Sequence, residues 1–224
     1  MNAASLYESI HRDNLASIRE GDIFIDTYLG RGVADLRRGI SLIIPLRHIS
    51  VNCEGAIHDF QMLEPGQYYY PVSDLHITVF DFISAHPSYA QSNSLDEAYA
   101  AITSEALAAA RGFSVAFKGI VFSREAGLFT GYDGGAVVAL RERIRGLLLQ
   151  QGLPNMERYP SKSVHATFFR FAKALANPGA FAEAIEARRA VELGNEEVHD
   201  MALVEHDWYN RKNSIRTIKR FALE

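Results

Sequence analysis

Two segments of this chain repeat one short pattern: Leu75-His76-Ile77-Thr78-Val79-Phe80 and Val164-His165-Ala166-Thr167-Phe168-Phe169 each set His-x-Thr inside an apolar run. With 8 histidines and six threonines among 224 residues, about 0.2 copies are expected by chance, so two arise in only ~2% of shuffled chains. In a β-strand, side chains two residues apart share a face, about 6.6 Å apart along the chain. His76, Thr78 and Phe80 then share one face while Leu75, Ile77 and Val79 pack into a core. The same split around His165 pairs it with Thr167 and turns Arg170 to the opposite face, unless the strand twists or bulges. A single such motif reads as a core histidine bonded to a backbone carbonyl, but two in matching contexts read as a site. Imidazole transfers protons near neutral pH, and a threonine hydroxyl donates a hydrogen bond to a phosphoryl oxygen.

The rest of the chain supplies alternating elements without a linker or low-complexity tract. Ser5 and Glu8 have capping-box spacing ahead of an apolar stripe through Leu6, Ile10, Leu15 and Ile18, so residues 1–38 are expected to form an amino-terminal helical extension packed outside a main domain of residues 39–224. Strands are expected at residues 40–45, 67–70, 74–82, 113–121, 128–132, 164–171, 201–206 and 214–223. Helices are expected after the Ser94/Glu97 capping box, over the stripe from Val137 to Leu148, and after the Asn177-Pro178 cap. Irregular alternation with hairpin connections and no glycine-rich phosphate loop favours α+β with antiparallel sheets.

Charge and cysteine content narrow the partners. A net charge of −4 argues against coating long nucleic acids, which takes many Lys and Arg contacts to phosphate. The one cysteine, Cys53, can form neither an internal disulfide nor a thiolate metal site, which fits a reducing compartment. No apolar run approaches the ~18 residues of a membrane span, and the first residues lack a secretion signal. The expected location is the cytoplasm.

On these motifs the chain resembles the two-histidine (2H) phosphoesterase superfamily, which includes the bacterial 2′-5′ RNA ligase-like proteins and the cyclic nucleotide phosphodiesterases. The spacing of the histidines, 165 − 76 = 89 residues, the intervening helix, hairpin and helix, and Arg170 five residues past the second histidine all agree with that family over about residues 39–224. Val164 stands where many relatives have proline, and Asp81 where an apolar residue is common. The resemblance implies a bilobal fold, with two pseudo-symmetric antiparallel sheets, helices packed outside and a cleft between them. It implies His76 and His165 as general acid and base, Thr78, Thr167 and Arg170 as phosphate-binding residues, and no metal or organic cofactor. The implied substrate is a small phosphorylated nucleotide or RNA end, carrying a cyclic phosphate or a 2′-5′ linkage. Tyr132 is the best candidate among the tyrosines for stacking a base. Activity is expected to follow a bell near neutral pH. Lys118 and Lys162 are candidates for positive charge at the rim, and among the remaining histidines only His206, beside Asp207 and Trp208, stands out. Two rivals remain open: a metal-dependent phosphodiesterase using the same histidines as ligands, and a non-catalytic module that binds a phosphorylated ligand or RNA end.

Overall fold

Runs of β-branched and aromatic residues alternate with helical stripes, and the elements follow them closely. The structure, a computed structural model, describes residues 3–29 and 35–224 and holds five helices and nine strands among them. Helix α1 (Ala3–Arg19) begins two residues before Ser5. Strand β1 (Arg38–Pro45) is buried along its length and ends at the proline, which has no N–H for a ladder. Then come α2 (Ser50–Leu63), β2 (Tyr68–Tyr69), β3 (His76–His86), α3 (Asn93–Leu107), β4 (Phe113–Phe122) and β5 (Ala126–Tyr132). The remainder is α4 (Ala136–Gln150), β6 (Val164–Arg170), α5 (Pro178–Ala187), β7 (Glu192–Val198), β8 (Asp200–Asp207) and β9 (Arg216–Ala222).

Two of the helix starts show why local caps matter. Asn177 accepts from the Ala180 amide and sets α5, as its sequence suggests. Ser92, rather than Ser94, caps α3 through the Leu95 amide.

The strands make one strongly curled antiparallel sheet in the order β7-β4-β5-β6-β3-β1-β8-β9. Its halves, β7-β4-β5-β6 and β3-β1-β8-β9, meet at one paired position, Ile77 opposite Ala166. Beyond it β3 leaves β6, and β2 becomes the neighbour of β6 at Phe169 and Arg170. The α+β architecture with a cleft between two halves is therefore present, with the halves continuous through this pairing. Each half is backed by helices. Phe60 of α2 and Phe181 of α5 pack on Phe168 and Phe169, while Tyr99 of α3 stacks on Phe82. These rings supply much of the core, each burying on the order of 150–250 Å².

Helix α1 lies against α5, β4 and β5. Ile18 is fully buried in the main core, and the Tyr7 hydroxyl accepts from the Val164 amide (3.0 Å) while donating to the Val164 carbonyl (2.5 Å). The first residue of the second motif strand is thus clamped from α1. No described helix is long and apolar enough to cross a membrane.

Candidate active site

Each motif strand breaks its alternation just past the threonine. On β3, Leu42 pairs with Phe80 but Ile43 with Thr78, so Val79 is an inserted residue; on β6, Gly127 pairs with Phe169 but Leu128 with Thr167, so Phe168 is inserted. A bulge reverses the parity of everything after it. Phe80 is consequently turned into the core, 1% exposed, and Asp81 takes the place on the cleft wall that strict alternation assigns to Phe80. Arg170 is carried by the second bulge onto the face of His165 and Thr167. Glycine is required there: a Cβ on Gly127 would come within 2.6 Å of the Phe122 ring.

His76, Thr78, His165, Thr167 and Arg170 all line one cleft of about 200 Å³, with a second arm of about 340 Å³ running under α1 past Leu6, Ile10 and Lys162. Where β3 parts from β6, its carbonyls lose strand partners, and Arg141 of α4 replaces them. This side chain is 1% exposed; its Nε donates to the Val79 carbonyl (2.7 Å) and its Nη2 to the Thr78 carbonyl (2.9 Å). Arg141 thereby holds the first motif at its bulge. Its sequence signal is an arginine set among Val137, Ile144 and Leu148 on the buried stripe of α4.

The two histidines differ in how they are held. His76 Nδ1 lies 2.8 Å from the Asp74 carbonyl, which can only accept, so Nδ1 carries the proton and Nε2 keeps a lone pair. His165 Nδ1 lies 2.8 Å from the Ser163 hydroxyl, which can donate or accept, so either ring nitrogen of His165 can bear the proton. Burial pushes both imidazoles down to about 4; for His165 the Arg141 charge, His76 and Arg170 act in the same direction, and for His76 the nearby His206 does. Neither threonine hydroxyl has a protein partner among the described residues, so both are free to donate into the cleft.

These depressed values couple to stability. Below pH 6.5 the unfolded chain protonates both imidazoles, whereas the folded chain resists until about pH 4. Stability is expected to be full above about pH 6.5 and to fall between there and 4, by up to roughly 3 kcal/mol per histidine. Urea unfolding at pH 7 and pH 4.5 measures this, and the difference should shrink when either histidine is replaced by alanine.

Tyr132 does not join the site. Its ring packs edge-on against Tyr7 of α1 at 5.6 Å, because α1 covers that end of β5. The aromatic wall of the cleft is instead Tyr70, Trp208 and Tyr209, with the Arg170 guanidinium 5.8 Å from the Trp208 ring and its Nε donating to the Tyr70 hydroxyl at 3.4 Å. Lys118 pairs with Glu192 away from the cleft. His206, 8% exposed, lines the cleft and is bonded to Ser41. No group of three or more His, Cys, Asp or Glu among the described residues is arranged to hold a metal ion.

Compared by sequence, the chain matches no family model and no curated protein. Solved structures do resemble it. A phosphoesterase superposes with a TM-score of 0.58 at 16% identity over 84% of this chain and 98% of its own. LigT from E. coli, solved with 3′-AMP, gives 0.55 at 15% over 84% and 98%; it has also been solved with phosphate. The conserved protein of unknown function ATU0111 from Agrobacterium tumefaciens gives 0.54 at 15% over 92% and 98%. The chain shares its fold with these proteins.

Proposed function

We propose that this chain is a metal-independent phosphodiesterase that acts on a cyclic phosphate or a 2′-5′-linked nucleotide or RNA end by histidine acid-base catalysis. The observation that carries this reading is the convergence of two imidazoles and two unengaged threonine hydroxyls on one cleft, from strands that touch at a single pairing. The fold likeness to LigT, which has been solved with 3′-AMP and with phosphate, supports a small phosphorylated nucleotide as the ligand.

In hydrolysis, His76 Nε2 takes a proton from water as its oxygen bonds to phosphorus. The ester P–O bond breaks, and the leaving oxygen takes a proton from His165 Nε2. The Asp74 carbonyl favours this assignment, since it fixes His76 in the tautomer of a base. Thr78 and Thr167 donate to the non-bridging oxygens, and Arg170 supplies the fixed positive charge. Each proton transfer contributes about 10²–10⁴ in rate.

The lowered proton affinity of both half-buried histidines moves the expected pH profile. One imidazole has to be charged and the other neutral, and in the free protein both lose their protons at about 4. The ratio kcat/KM reports the free protein, so it should rise as the pH is lowered from 8 to 5 rather than peak at neutrality. The profile of kcat should lie at higher pH, because the bound phosphate anion favours an imidazolium beside it. Excess chelator should leave both unchanged. A kcat/KM maximum at or above pH 7, or loss of activity on chelation with recovery on adding a divalent ion, contradicts the reading.

A further inference from the structure

Asp81 stands on the cleft wall five residues after His76, as Arg170 stands five after His165. A carboxylate beside a phosphodiester repels the substrate's own charge, so its presence calls for a different partner. The protein also holds it firmly. Ser41, 1% exposed, has its Oγ 2.5 Å from Asp81 Oδ1 and 2.6 Å from His206 Nε2. His206 Nδ1 in turn lies 2.6 Å from the Asp207 carbonyl, which only accepts, so that nitrogen is protonated. Two contacts then remain for the single serine proton. Both are hydrogen bonds when His206 Nε2 donates to Ser41, whose hydroxyl donates to Asp81. Asp81 is thus oriented by two hydrogen bonds in series. Its second oxygen has no hydrogen-bond partner among the described residues, and the residue lines the cleft.

We propose that Asp81 is a specificity-determining residue whose free oxygen accepts a hydrogen bond from a hydroxyl or amino group on the ester arm beside His76, and whose charge turns away substrates with a second phosphate there. This rests on the cleft holding a phosphodiester. The arrangement divides the recognition: Arg170 meets the phosphate from β6, and Asp81 meets a donor group from β3. No other described acid on the wall is bridged in this way to a buried histidine.

The test uses three matched p-nitrophenyl phosphodiesters whose second arm is 3-hydroxypropyl, propyl or 3-phosphopropyl. Binding is followed by the fluorescence of Trp208, the single tryptophan of the chain and a cleft residue, and turnover is followed by nitrophenolate release. The wild type should favour the hydroxypropyl over the propyl ester by about tenfold, the size of one hydrogen bond to a charged group. D81L should lose most of that preference, and D81N should accept the phosphopropyl ester about tenfold better than the wild type does. Unchanged ligand ratios in both variants overturn the proposal. Binding with the expected ratios but no turnover removes the phosphodiesterase reading and leaves Asp81 as the selector; absence of binding by the wild type to all three overturns both.

Discussion

Replacing His76 or His165 with alanine should lower turnover of a phosphodiester by about two orders of magnitude or more while leaving a cooperatively folded protein. Each imidazole has one ring nitrogen engaged by its own strand's local partner, Asp74 or Ser163, and the other available to the cleft. Losing either removes one of the two proposed proton transfers. The double variant should lose less than the product of the single losses, because the two transfers serve one displacement and act as a unit. Steady-state kinetics on the four proteins measure this. A single alanine variant that keeps a third or more of the wild-type rate would show that the motifs are not the acid and base.

Arg141→Met should destabilise the fold by about 3–5 kcal/mol, the largest stability effect anticipated for one polar side chain here. The substitution roughly preserves volume but strands the Thr78 and Val79 carbonyls, each losing a short bond from the guanidinium, at about 1–3 kcal/mol for each buried acceptor left unpaired. A third, longer contact to the Ser161 carbonyl is lost as well. For a chain of this size the melting temperature should drop by about 10 °C, at ~2–4 °C per kcal/mol. Calorimetry decides it. A drop under about 3 °C would mean that β3 finds other partners at the bulge and that Arg141 is not what holds the first motif.

The motif strands could be read in advance because His-x-Thr sits within continuous apolar runs, a pattern local to six residues. What alternation could not supply was the pair of bulges. Their positions depend on how β1 and β5 register against β3 and β6, which is information held across the sheet, and they exchange Phe80 for Asp81 and bring Arg170 to the cleft. Helix α2 and strand β7 were hidden for a related reason. The backbone leading into α2 is held by Glu196 of β7, which accepts from the amides of Arg47, His48 and Ile49, and the helix start carries no cap in its own sequence; its N-cap residue, Ile49, makes no side-chain cap bond. Glu196 is 1% exposed, in a strand whose Glu-Leu-Gly-Asn-Glu-Glu-Val composition reads as loop. Tyr132 was misplaced because the docking of α1 over β5 cannot be inferred from either segment alone. Arg141 and His206, by contrast, left signals: a cation on an apolar stripe, and a histidine in an apolar strand.

Cleavage of phosphodiesters by the cleft's own histidines can be measured directly. The most direct measurement is chromatography of products after incubating the wild type, in excess chelator, with cyclic nucleotides, 2′-5′ dinucleotides and cyclic ADP-ribose phosphates. At least one of these should be converted, and H76A and H165A should convert the same compound at least about a hundredfold more slowly. Conversion of none by the wild type, or conversion that persists in both variants, would contradict it.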